Sequence, residues 1–250
     1  MKRLFLLLVI MFMISCENSN VVNEEEFEPE IIPAVSLLSA SSAGEKQVIQ
    51  IKANIEYDID VTSNWLSVEK VNGGIKIVID SNIDYISRAA TVAVYNVGYG
   101  IRETIKVTQK ARRCNIGDLV VMNGEEGVAY HVSGTKVKLI SVRAVNGFTW
   151  QEACDYFKKL GTGGWQLLSI AELQKLYDAK SSIATTLYNN GGGFLQGWYW
   201  SSEIDSSDYV DVFYFEDWTF GGAGSVGSKH SSNRSSSSYA RATISFDNEY

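Results

Sequence analysis

The distribution of apolar and polar positions divides the chain into four stretches. Residues 4–14 are one unbroken apolar run. Residues 16–33 are polar and acidic, with Glu17, Glu24, Glu25, Glu26, Glu28 and Glu30 and no base. Short alternating runs follow at 47–53, 57–61, 74–80, 90–95 and 101–108, carrying pairs such as Ile49 and Ile51, Ile75 and Ile77, Val92 and Val94, Ile105 and Val107. Turn signals separate them at Ser42-Ala43-Gly44, Asn72-Gly73-Gly74 and Gly98-Tyr99-Gly100. Period-two runs at this spacing, with no helical period, predict an all-β sandwich over 34–112.

The pattern changes in residues 113–250. Strand-like runs at 115–121 and 127–132 flank Asn123-Gly124, a hairpin signal, and 135–142 continues the alternation. Thr149-Trp150-Gln151-Glu152 and Ser169-Ile170-Ala171-Glu172 are capping boxes that open two helices. Trp150, Ala153, Cys154 and Phe157 line one apolar face, and Ile170, Leu173, Leu176 and Tyr177 the other. Strands at 197–202, 209–215 and 239–246 finish an α+β plan. Residues 221–238, almost wholly Gly, Ser, Asn, Lys and Arg, read as one long loop.

Composition narrows the function. The net charge is −7, which argues against a nucleic-acid partner. Lys2 and Arg3 precede an apolar run too short to span a bilayer, as in a signal peptide over 1–15. The run ends at Ile14-Ser15-Cys16 and resembles a bacterial lipoprotein signal. That resemblance implies cleavage before Cys16, acylation of its thiol, and an outer-membrane lipoprotein exposed at the cell surface. Residues 16–33 then form an extended acidic tether.

Two further resemblances cover the rest. Asn64-Trp65-Leu66-Ser67-Val68, Asn82, Arg88-Ala89-Ala90-Thr91-Val92 and Val107-Thr108-Gln109 resemble a BACON domain, an immunoglobulin-like module of Bacteroidetes surface proteins. The resemblance implies carbohydrate or mucin association, or a spacer role. Trp65 reads as a core residue ahead of a sugar platform, with Arg88 and Gln109 as structural polar partners. Gly164-Trp165-Gln166-Leu167-Leu168-Ser169-Ile170-Ala171-Glu172-Leu173, then Tyr199-Trp200-Ser201-Ser202, then Tyr239-Ala240-Arg241-Ala242, resemble the DUF1566 family. That family is similar to the C-terminal domain of a Legionella collagen-like adhesin and has the C-type lectin-like fold. Gln166 and Leu168 depart from its Arg and Pro. The resemblance implies recognition by loops of the C-terminal half. The Ser-, Asp-, Tyr-, Asn- and Gly-rich stretch 198–241 also looks like the variable patch of receptors diversified by retroelements.

Chemistry-bearing motifs do not assemble into a catalyst. Gly222-Ala223-Gly224-Ser225-Val226-Gly227 matches a dinucleotide fingerprint without the strand and helix that must flank it, and Ser225 lacks a nucleophile elbow. His131 and His230 are the only histidines. Residues 114–250 contain no proline, so the proline triplets of calcium-dependent sugar-binding lectins are absent. Glu216, Asp217, Asp205, Asp208 and Asp211 are scattered along loops, and no metal or other cofactor is expected. Cys114 and Cys154 leave a bridge open and favour two free thiols, because Cys154 lies on an apolar helix face. The expected function is recognition of a glycan or protein ligand, without catalysis, by Tyr209, Asp217, Trp218, His230, Asn233 and Arg234, with Trp200 and Phe213 in the core. The alternatives are a spacer in a cell-surface assembly, a retroelement-diversified receptor, or an accessory presenting sugar to a hydrolase.

Overall fold

The computed structural model describes residues 27–160, 163–193, 195–215 and 227–250. The signal run, Cys16 and most of the acidic tether lie outside the described residues, as do Asp217 and Trp218. The described chain is mostly β-sheet, and among the described residues no helix is long and apolar enough to cross a membrane.

The first half contains β1 (Ile31–Pro33), β2 (Leu37–Ala40), β3 (Glu45–Ala53), β4 (Asp58–Val61), β5 (Leu66–Val71), β6 (Gly74–Ile79), β7 (Arg88–Asn96) and β8 (Ile101–Gln109). They form two four-stranded sheets, β1-β3-β6-β5 and β2-β8-β7-β4. Alternation puts Ile49, Ile51, Ile75, Ile77 and Ile79 of one sheet against Val92, Val94, Ile105 and Val107 of the other in a single buried cluster. The predicted hairpin lies between β5 and β6. Gly73 supplies its positive φ of +73°, and a Cβ on Gly74 would lie 2.1 Å from the Ile49 carbonyl oxygen. The sandwich starts earlier than composition suggests. Ile31, in the stretch expected to be tether, is buried, and β1 pairs with β3. Trp65 is half-buried against the sandwich core, and Arg88 lies over its ring at 4.4 Å. Arg88 donates to Gln109 at 2.8 Å, and Gln109 donates to the Ser41 and Asp80 carbonyls, so both serve as structural partners.

The second half contains β9 (Leu119–Met122), β10 (Glu125–Ser133), β11 (Lys136–Ser141), β12 (Val145–Phe148), α1 (Trp150–Lys158), β13 (Gln166–Leu167), α2 (Ile170–Asn189), β14 (Trp198–Ile204), β15 (Tyr209–Tyr214), β16 (Lys229–Asn233), β17 (Ser238–Ala240) and β18 (Ala242–Asp247). Two five-stranded sheets result, β13-β18-β11-β10-β9 and β12-β17-β14-β15-β16. Asn123 and Gly124 both take positive φ in the β9–β10 turn, as a two-residue hairpin of this hand requires. Both capping boxes are formed, at Thr149 with Glu152 and at Ser169 with Glu172. Ala153 and Phe157 of α1 join a cluster containing Trp165, Trp200 and Val212. Leu173, Leu176, Ile183 and Leu187 of α2 join Tyr199, Phe213 and Phe215.

Two expectations are corrected here. Residues 221–238 are not one loop: residues 229–233 form β16, an edge strand paired with β15. An edge strand needs backbone pairing on one side only, and polar side chains suit its exposed position. Residues 239–246 are not one strand. Arg241 separates β17 from β18, and the two lie in different sheets. Cys114 and Cys154 are free thiols.

Residues 110–113 join the halves and are held on several sides. Asn248, 1% exposed, accepts from the Cys114 N–H at 2.9 Å and donates to the Tyr85 and Arg112 carbonyls, each at 2.9 Å. The Ala111 N–H donates to the Glu249 carbonyl, and the Arg112 N–H to that of Asp84. Arg112 and Arg113 lie over the Tyr85 and Tyr250 rings. Replacing Asn248 with Ala leaves one buried donor and two acceptors unmatched, a loss of about 2–4 kcal/mol. Urea denaturation of Asn248→Ala is expected to resolve two transitions where the native chain gives overlapping ones.

Glu172 ties α2 to β11. Burial works to raise its carboxyl pKa, but the Lys138 ammonium and the Ser169 N–H outweigh burial and hold it below the usual range. A depressed folded value stabilises above the unfolded carboxyl range near 4.3 and is lost as pH falls through the folded value. Glu172→Gln keeps the cap but loses the ion pair. It is expected to cost about 1 kcal/mol at neutral pH and to flatten the acid limb of a stability–pH curve measured by urea midpoint.

Candidate functional site

The β14–β15–β16 ribbon carries Tyr209, His230 and Asn233 of the six predicted binding residues, and Arg234 follows β16 directly; Asp217 and Trp218 lie outside the described ones. Residues directly opposite in an antiparallel pair share a face, so the register sorts the ribbon into two sides. Tyr209 opposes Asn233, Asp211 opposes Ser231, and Phe213 opposes Lys229 on one side. Val210 opposes Ser232 and Val212 opposes His230 on the other. The structure therefore brings Tyr209 and Asn233 together and sets His230 on the opposite face.

The first side is polar at its outer end. Tyr209 is 46% exposed, and the Asn233 side chain accepts from the Ser235 N–H at 2.9 Å. Ser231 donates to Asp205 at 2.9 Å. Asp211 is only 4% exposed, and its Oδ2 pairs with Lys229 Nζ at 2.7 Å. Among the described residues its Oδ1 is buried without a hydrogen-bond partner. The Lys229 pKa is raised by the Asp211 hydrogen bond; burial opposes this, and the charges of Asp211, Asp205 and Glu203 add to it. Glu203 in turn accepts from the Ile170 N–H at the start of α2. Lys229 was not among the predicted residues. The signal for it was in the β15 alternation, where Asp211 interrupts an otherwise apolar strand and demands a cation from its neighbour.

The second side is aromatic. Trp198 contacts Tyr214 at 4.6 Å and meets His230 edge-to-face at 4.8 Å. His230 Nε2 lies 2.9 Å from the Ser228 hydroxyl. His230 is thus a strand residue against a ring, not the loop residue the composition suggested. Arg234 lies over the Trp150 ring at 4.6 Å and donates to the Ser207 carbonyl at 3.1 Å. Trp150 is fixed by its own indole bond to the Ser201 carbonyl at 2.8 Å. His230 and Arg234 brace the ribbon against α1 and Trp198. Trp200 and Phe213 are buried, as expected for core residues.

The remaining reactive groups are muted by their surroundings. Burial pushes the Cys114 thiol up to about 12, with Asp118 adding to the shift, and burial also raises that of Cys154. His131 sits at a β-bulge, where burial, Lys175 and Lys138 lower its pKa. Among the described residues no cluster of three or more His, Cys, Asp or Glu side chains could hold a metal ion.

No family model matches the chain, and no curated protein matches it. The chain is distantly similar to a Bacteroides ovatus GH5 xyloglucanase solved with a heptasaccharide, at 18% identity over 52% of this chain and 25% of that one, with a TM-score of 0.30. It is similar to a Bacteroides thetaiotaomicron protein at 18% identity over 36% of this chain and 95% of that one, with a TM-score of 0.29. It is also similar to tandem immunoglobulin domains of titin at 9% identity over 89% and 82% of the two chains, with a TM-score of 0.28. Scores this low decide neither fold family nor function.

Proposed function

We propose that this chain is a surface-anchored recognition protein. In this reading Cys16 carries a lipid anchor in the outer membrane, and residues 34–112 act as a BACON-like, immunoglobulin-type spacer. Residues 113–250 are a C-type lectin-like module related to the DUF1566 family, and they bind a glycan or a protein without catalysis. The observation that carries the reading is the meeting of Tyr209 and Asn233 across β15 and β16, beside Ser231 and Asp205. An exposed ring among adaptable hydrogen-bonding groups is the chemistry of a binding surface. Asp217 and Trp218 complete the proposed set.

The geometry of the first half supports a stalk. The described chain begins at Phe27, whose ring contacts Tyr99 at 6.4 Å. Tyr99 lies in the turn at one end of the β7–β8 hairpin, and Gln109 and the junction lie at the other, about 30 Å away for nine residues. The chain therefore enters the sandwich at the pole remote from the second half. A pure spacer would share this layout, and the pinned junction at Asn248 favours it as the second reading.

A glycan array and a panel of immobilised extracellular-matrix proteins, probed with the full chain, separate the two. The Tyr209→Ala/Asn233→Ala variant is expected to fold normally and to bind whichever ligand is found about tenfold more weakly or worse. Undiminished binding would remove the site. Absence of any soluble ligand, with a partner co-purifying from solubilised membranes, would favour the spacer.

A further inference from the structure

A cleft of about 560 Å³ lies beside α1 and shares no lining residue with the β15–β16 ribbon. It is within the range of small-molecule sites, about 300–1,000 Å³. One wall is a helical stripe. Glu152, Asp155, Tyr156 and Lys159 are spaced at i, i+3, i+4 and i+7, so they project from one side of α1 and its cap. The other wall is Arg143 with Glu125, whose Nε and Oε2 are 3.3 Å apart. Phe148 also lines the cleft and meets Tyr156 edge-to-face at 5.8 Å.

The charges in and beside the cleft sum to zero, with Glu125, Glu152 and Asp155 against Arg143, Lys158 and Lys159. Glu125 has Arg143. Glu152 accepts from the Thr149 N–H and hydroxyl. Asp155 accepts from Gln151 at 3.0 Å and has Lys158 at 3.9 Å. Lys159 stands at the C-terminal end of α1, where helix carbonyls favour a cation. A carboxylate offers about four lone-pair sites and a guanidinium five N–H donors, so each partnered group keeps hydrogen-bonding capacity. The cleft thus combines two aromatic rings with donors and acceptors of both kinds, and with Lys158 beside it there is no net charge to select an ion.

We propose that this cleft binds a neutral, hydroxyl-rich ring, a mono- or disaccharide. The C–H face of the sugar lies against Phe148 and Tyr156, and its hydroxyls reach Arg143, Glu125 and Asp155. The proposal uses none of residues 198–241 and stands independently of the function proposed above.

The test titrates the full chain with methyl glucoside, methyl galactoside, cellobiose and lactose, and with glucuronate and glucosamine as charged comparators. Calorimetry and amide chemical shifts provide the readouts. At least one neutral sugar is expected to bind and to shift the amides of Phe148, Tyr156 and Arg143. Tyr156→Ala and Arg143→Gln should each weaken binding about tenfold. Tyr156→Phe, which keeps the ring, guards against a folding artefact and should weaken it less than Tyr156→Ala. The proposal is overturned if no neutral sugar binds, if both cleft variants bind normally, or if glucuronate or glucosamine binds more tightly than every neutral sugar. Sugar binding lost in Tyr209→Ala/Asn233→Ala but kept in the cleft variants would support the ribbon site and overturn this one.

Discussion

A single guanidinium joins the parts of the second half. Arg241 is 1% exposed and donates through Nη1 to the Ser141 and Val142 carbonyls, each at 2.7 Å, and through Nη2 to that of Gly192. It stands where the chain leaves β17 in one sheet and enters β18 in the other. Its acceptors come from the end of β11 and from the segment after α2. Burying a cation costs several kcal/mol, and charge-assisted bonds to carbonyls, about 1.5–3 kcal/mol each, offset that cost. The group accordingly fixes the two sheets and the α2 connection at one point. Burial acts to raise the Tyr199 pKa, and the Arg241 charge acts to lower it.

The binding ribbon inherits its rigidity from that point. β17 pairs with β14, β14 with β15, and β15 with β16, so the outermost strand is three pairings removed from Arg241. Both faces of β15 pack inward, Val212 into one cluster and Phe213 into another. Tyr209, Ser231 and Lys229 are exposed to solvent, and Asn233 is half-buried. The unmatched Asp211 Oδ1 lies next to Lys229. An unmatched buried acceptor is a local weakness, and its place beside these exposed residues shows where packing gives way to polar surface.

Much of this architecture could be read from residues. The two capping boxes, the Asn72-Gly73 and Asn123-Gly124 turns and the period-two runs each act through local chemistry, and each appears where the pattern placed it. The short strands β1, β12 and β13 could not be read. They have no pattern of their own and exist because a neighbour offers an open edge. β16 was missed for the same reason: Lys229–Asn233 has little intrinsic strand preference and is recruited by β15. The candidate residues were legible as types but not as a set. Which of Tyr209, His230, Asn233 and Arg234 share a face depends on register, and register across residues 209–233 is a long-range fact. The cleft beside α1 was invisible for a related reason, since Glu125, which positions Arg143, is distant in sequence from the helix it faces.

The position of β18 has a consequence for biosynthesis. It lies inside its sheet, between β13 and β11, and the junction residue Asn248 follows it directly. The first sandwich has all its strands once residue 109 has emerged, in whichever compartment the chain folds. The second remains an open sheet, with the β11 edge unpaired, until residue 247 has emerged. Vectorial folding therefore completes the leading half first and leaves the trailing half exposed to mispairing until the end of these 250 residues. The junction is completed last, by Asn248 and Glu249 directly after the strand that closes the sheet.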